Sequence, residues 1–134
     1  MKLIEEVRST VMSLFKSLHT GAYPAMLVNY PNLLAVDIEH QTDPFISVEI
    51  TAGETSDIDY LGSEGDVIIE GSILINYLIP LGKGTTGAAS YSDLLKNNIA
   101  NKRLSGITYG PLRVFSVSPY PGIVGQCNKI SFRA

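Results

Sequence analysis

The sequence predicts an α+β domain: one mixed, mostly antiparallel sheet with a long central strand and a hairpin, and two helices packed on it. Three observations carry that expectation. Ile4, Val7, Val11, Leu14, Phe15 and Leu18 recur at steps of three and four, which is one stripe of an amphipathic helix. From Asp66 to Ile79 the odd positions Val67, Ile69, Gly71, Ile73, Ile75, Tyr77 and Ile79 make an apolar face, while the even ones mix Ile68, Leu74 and Leu78 with Glu70, Ser72 and Asn76. That alternation describes a long antiparallel strand with one face on the core and the other partly wet or covered by a neighbour. Near the end, residues 112–117 and 123–132 read as two strands around the turn Ser118-Pro119-Tyr120-Pro121-Gly122.

Each element follows from its local pattern. The first helix is expected over residues 2–19, with Glu5, Glu6, Arg8, Ser9 and Lys16 on its wet side and Gly21 ending it. AYPAMLVNYPN, residues 22–32, has two prolines and two asparagines, so it is expected to be an extended connector with a turn at 29–32. Residues 33–38 suggest a short strand. FISVEI, residues 45–50, is a strand with Phe45, Ser47 and Glu49 on one face and Ile46, Val48 and Ile50 on the other. TAGETSDIDYLGSEG, residues 51–65, is polar and glycine-punctuated and reads as a long loop. After the long strand, Ser90 and Asp93 resemble a capping pair, and Ala88, Tyr91, Leu95 and Ile99 are spaced for a second helix reaching about Asn101. Lys102 and Arg103 follow at its carboxyl end, where the helix dipole favours cations.

The length of 134 residues fits one domain. Apolar residues make up 45% and charged residues 17%, so some apolar surface is expected to be covered by other subunits. No apolar run approaches the roughly 18 residues a membrane span needs. Glu5 and Glu6 sit where a secretory signal would place its apolar segment, which argues against that route.

Gly82, Gly84 and Gly87 have the spacing G-x-G-x-x-G between a strand and a helix, the place of a dinucleotide loop. The surrounding parts are missing. The strand is long and one-sided, Ile107 stands twenty residues beyond Gly87, and no Asp or Glu follows Asp93 to hold a ribose. Lys83 is followed by Gly84 rather than Ser or Thr, so the other phosphate loop fails as well. The glycines are expected to turn the chain from strand into helix. His19, His40 and the single Cys127 give no spaced zinc cluster. Cys127, in a predicted strand, is expected to be a structural thiol. Asp57 and Asp59 lack the further oxygen ligands and closing Glu of a calcium loop. No catalytic or cofactor constellation emerges, and an enzyme is not expected.

The net charge of −3 hides an asymmetry. Residues 1–70 carry twelve acidic side chains against Lys2, Arg8 and Lys16, whereas residues 71–134 carry seven basic ones against Asp93 alone. Two arrangements are compatible with that split. Either the halves interleave and their charges mix, or the subunit has an acidic and a basic side suited to head-to-tail contacts that close into a ring. The cations are too scattered for a nucleic-acid face, so no specific nucleic-acid binding is expected.

The order VRSTVMSLF, DPFISVEI, GDVIIEGSILINYLIP, GKGTTG, AASYSDLLKNNIA and a terminal KISFRA resembles the small tail terminator proteins of tailed bacteriophages. The resemblance covers most of the chain and rests on element order and texture. It departs from many relatives, which carry an aromatic residue in the last strand where this chain has Gly125-Gln126-Cys127. It implies an α+β subunit of a homohexameric ring that caps the tail tube, stops its growth and offers a docking surface to the head–tail connector, with no enzymatic activity and no cofactor. The implied partners are further copies of the chain, the tail tube protein, the neck or connector protein and, in a contractile tail, the sheath. The implied location is the virion, after synthesis in the bacterial cytoplasm. A neck or head-completion protein is the alternative, and a small nucleotide-binding domain a more distant one. On this reading Glu54, Asp57, Asp59 and Glu64 are candidates for contact with tube or connector. Lys96, Lys102, Arg103 and Arg113, with Glu70, Leu74 and Leu78 on the second face of the long strand, are candidates for the subunit interface.

Overall fold

A computed structural model describes residues 4–24, 26, 28–29, 43–56, 67–80, 86–120 and 123–134. Among these the elements are α1 (Ile4–Ala22), β1 (Val28–Asn29), β2 (Phe45–Ser56), β3 (Val67–Pro80), α2 (Thr86–Asn98), β4 (Arg103–Leu104), β5 (Ile107–Tyr120) and β6 (Ile123–Arg133). The strands form one sheet in the order β1-β2-β3-β6-β5-β4. β1 runs parallel to β2, and the other pairings are antiparallel. The sheet is thus mixed and mostly antiparallel, with both helices on it, as its residue pattern predicts.

β3 is the axis of the sheet. It pairs with β2 from Ser56↔Val67 to Phe45↔Leu78 and with β6 from Glu70↔Arg133 to Pro80↔Ile123. Its odd residues Ile69, Ile73, Ile75, Tyr77 and Ile79 are buried in the main core with Ile46, Val48, Ile50, Ile130 and Phe132. Helix α1 lies over β2 and β3, and α2 over β5. Val7, Val11 and Phe15 from α1 and Ala88, Tyr91, Leu95 and Ile99 from α2 and its exit complete the core. Both the odd face of β3 and the two faces of β2 over residues 45–50 are the expected ones. The strand expected over 33–38 lies outside the described residues, as does the turn expected at 29–32 apart from Asn29, which is paired strand in β1.

Four local expectations are corrected. Helix α1 passes through Gly21 to Ala22, because the packed step Val7, Val11, Phe15 continues to His19, which holds the last turn in place. β2 does not stop at Ile50 but runs to Ser56, so residues 51–56 are strand rather than loop. The ladder with β3 satisfies their backbone, Thr51 is exposed, and its Oγ1 lies 3.1 Å from Ser72 Oγ. Gly71 makes that close pairing possible, since a Cβ there would strike the Thr51 carbonyl oxygen and the Phe132 ring. α2 begins at Thr86 and ends at Asn98, so Ser90 and Asp93 are interior, exposed helix residues and not a cap. Finally, β5 spans Ile107–Tyr120 instead of 112–117 and runs through two prolines. Pro111 and Pro119 both fall inside its register shifts, between Tyr109 and Leu112 and between Val117 and Tyr120, where a missing N–H costs the ladder nothing.

Two polar anchors are buried under the helices. His19 Nε2 donates to the Met26 carbonyl at 3.1 Å, and its Nδ1 is hydrogen-bonded to the Tyr91 hydroxyl at 2.8 Å. Phe15, Tyr23 and Tyr91 surround that ring, and Tyr77 packs against Tyr91 at 5.6 Å. The cluster thereby joins both helices to the central strand. Asn128, fully buried on β6, accepts from Ser92 of α2 at 2.5 Å and donates to the Ile75 carbonyl at 3.1 Å. A satisfied buried amide fixes how α2 sits on the sheet, because any shift would leave it unpaired.

Gly87, in the first turn of α2, faces Tyr77: a Cβ there would lie 2.5 Å from the tyrosine oxygen. Alanine would gain about 1 kcal/mol of helix propensity, but overpacking of that severity costs about 1–3 kcal/mol. Gly87→Ala should therefore fail to stabilise the wild-type protein in denaturant unfolding, yet stabilise it in a Tyr77→Phe background; additive effects would refute the contact. Tyr109 is buried with an unpartnered hydroxyl, and burial pushes its pKa up to about 12. The unfolded chain releases that proton near pH 10, so the stability it provides is full below about pH 10 and lost as pH rises towards about 12. Tyr109→Phe should flatten the alkaline loss of stability and leave stability at pH 7 equal or higher, both read from unfolding curves.

Candidate partner-binding surfaces

The strand register lays out the sheet face opposite the helices as transverse rows. Phe115, Cys127, Asn76 and Ser47 form one, and Arg113, Lys129, Leu74 and Glu49 the next. Beyond these come Ser131, Ser72 and Thr51, and then Thr108, Arg133, Glu70 and Gly53. On the other side of the Phe115 row, Leu78 lies opposite Phe45. The face therefore grades from apolar at the Phe45 end to polar at the Glu70 end. A shallow, open depression of about 670 Å³ at the polar end is lined by Glu70, Ser72, Lys129, Ser131 and Arg133 among others. Such a surface suits a macromolecular contact better than an enclosed small ligand.

Phe45 and Leu78 are 0% and 3% exposed and form a small core of their own. Burial of each contributes about 1.5–3 kcal/mol, so Leu78 is already committed inside the subunit and its apolar character needs no neighbour to explain it. Leu74 is half-buried in the Arg113 row. Glu70 is exposed and pairs with Arg133 at 3.2 Å, a surface pair worth about 0–1 kcal/mol. Cys127 is buried, and burial raises its thiol pKa against a smaller opposite effect of Lys129. A thiol held protonated is a poor nucleophile.

The basic candidates gather on one flank. Lys96 is exposed in the last turn of α2, Arg103 is exposed in β4, and Arg113 is exposed on β5. Lys102 is also exposed, and its carbonyl accepts from Tyr109 N–H at 2.8 Å, which ties the α2 exit to β5. Asn101 and Ser105 take the left-handed φ values of 59° and 52° that fold this short corner. On the opposite flank stand α1, β1 and β2, with exposed Glu5, Glu6 and Glu49 beside Arg8, which pairs with Glu5 at 3.5 Å, and Lys16. Of the acidic candidates, Glu54 lies in β2 opposite Ile69, while Asp57, Asp59 and Glu64 lie outside the described residues.

The sheet order gives the charge asymmetry a direction. β1, β2 and the first four residues of β3 come from the acidic half of the chain, and the rest of β3 with β6, β5 and β4 from the basic half, so the described strands of the two halves lie side by side and do not interleave. Val114, Phe115 and Val124, missed from the sequence, add an apolar component to the basic flank at 42%, 47% and 51% exposure. Their apolar runs read simply as core strand; the position of β5 near the sheet edge exposes Val114 and Phe115, and Val124 is exposed near the start of β6.

Among the described residues no group of three His, Cys, Asp or Glu is placed to hold a metal, and no helix is long and apolar enough to cross a membrane. Gly82 and Gly84 lie outside the described residues, and the connection they belong to leaves a strand flanked by antiparallel neighbours, unlike the parallel crossover of a dinucleotide fold.

No family model matches the chain, and no curated protein matches it. A solved structure whose name describes no function is similar over 95% of this chain and 92% of its own, with a TM-score of 0.68 at 13% identity. That likeness establishes a shared fold.

If the basic flank carries subunit contacts, replacing Lys102 and Arg103 together by Glu should lower the oligomer mass seen by light scattering; an unchanged oligomer would remove these two residues from the interface.

Proposed function

We propose that the chain is a structural subunit of a tailed-phage virion, forming a ring that caps the tail tube, ends its polymerisation and presents a docking surface to the head–tail connector. The observation that carries this reading is the lateral division of the sheet. A ring subunit needs two unlike flanks that complement each other between copies, and the acidic and basic halves of this chain supply elements to opposite sides of one sheet. The element order that resembles tail terminators supports the same reading. So does the open, polar end of the sheet face opposite the helices, which suits contact with a large partner.

Neither role calls for bond chemistry. The buried histidine and cysteine are spent on packing, His19 with both ring nitrogens engaged. Binding energy would come from many modest contacts on a repeated surface, where a ring multiplies each by the number of subunits engaged at once.

Electron microscopy of particles made without the protein tests the role. Tails longer than normal are the expected result. Tails of normal length that fail to join heads would contradict a terminator and indicate a neck or head-completion protein.

A further inference from the structure

We infer that neighbouring copies join by extending the sheet, β5 of one copy lying antiparallel against β2 of the next, with Arg113 beside Glu49 across the junction. This rests on the ring reading and names the contact that would build it.

The two strands are the long outer ones. β4 pairs only with Ile107 and Thr108 of β5, and β1 only with Ile46 and Ser47 of β2. Among the described residues, β5 beyond Leu112 and β2 beyond Ser47 have a strand on one side alone. An open edge offers a ready ladder of N–H and C=O groups to another strand. On β5 the stretch runs between Pro111 and Pro119, whose missing N–H groups limit how far a partner strand can pair and so help set its register. Residues 113–116 are all exposed, and they include Val114 on one face and Phe115 on the other. A strand wet on both faces with large apolar side chains gains from being covered on either.

Direction and charge select the partner. Three successive antiparallel pairings lead from β2 through β3 and β6 to β5, so β5 runs opposite to β2. Placing a second copy alongside in the same orientation therefore makes an antiparallel junction. Arg113 and Glu49 end the same transverse row, both exposed, and extension along that row brings unlike charges together. A two-fold contact would instead set Arg113 near Arg113, or Glu49 near Glu49. Like charges facing each other oppose it, leaving the head-to-tail contact that closes into a ring.

The test is sedimentation velocity of the full chain and three variants, with circular dichroism to show that each is folded. Arg113→Glu and Glu49→Arg should each weaken self-association at least about tenfold. The double variant, or an equimolar mixture of the two singles, should restore it. Wild-type assembly with single variants that assemble equally well, or a double variant no better than the singles, would overturn this junction while leaving a ring built by other contacts standing. A wild-type chain that stays single at high concentration would overturn the ring reading itself.

Discussion

The pairing of β3 with β6 is the constraint on which the rest of the structure depends. It is the seam within the sheet between the strands that carry acidic residues and those that carry basic ones, eleven residue pairs long. Everything acidic in the described strands lies on one side of it or at its border, and β4 and β5 with their cations lie on the other. The same seam carries Asn128 opposite Ile75 and Phe132 opposite Gly71. It therefore fixes both the seat of α2, through Ser92, and the close approach of β2, through the missing Cβ of Gly71. Had the second half returned to pair outside β2, the charges would have mixed and no flank would have a sign.

From that seam the helices divide the labour. α1 covers β2 and β3, α2 covers β5 and is tied to β6, and the His19–Tyr91 hydrogen bond holds one helix to the other over Tyr77. Among the described residues the helices lie on one face, and the polar end of the opposite face and the sheet flanks are exposed. The opposite face spends its apolar end on Phe45 and Leu78, which leaves charge and the exposed apolar residues of β5 and β6 as the means of recognising a neighbour. Proteins protect open strand edges with charges and prolines. In the proposed junction the same residue types also give an edge a preferred partner.

Much of this was legible in the residues because burial imposes a period. The face of β3 made of Ile69, Ile73, Ile75 and Tyr77 and the stripe Val7, Val11, Phe15 of α1 announce themselves, since each packs against a single apolar layer. His19 extends that stripe by one more step of four and is recognisable only if a histidine is allowed in a core. The second half of β2 was illegible for the opposite reason: Thr51, Gly53 and Ser56 have the composition of a loop, and what makes them strand is a ladder with residues 67–72 that local sequence does not encode. The prolines of β5 mislead in the same way until the register shifts that house them are seen. Of the candidate surface, the charge of each residue was readable, but not that Leu78 is enclosed by its own subunit or that Arg113 and Glu49 end one row. Those depend on long-range pairing.

The central claim is that the two flanks complete each other between copies arranged in a closed circle. Native mass spectrometry of the purified chain across a range of salt concentrations addresses it most directly. The account predicts one closed species of fixed copy number at low salt that gives way to single chains as salt screens the flanks. Single chains throughout, or a two-fold dimer that ignores salt, would contradict it.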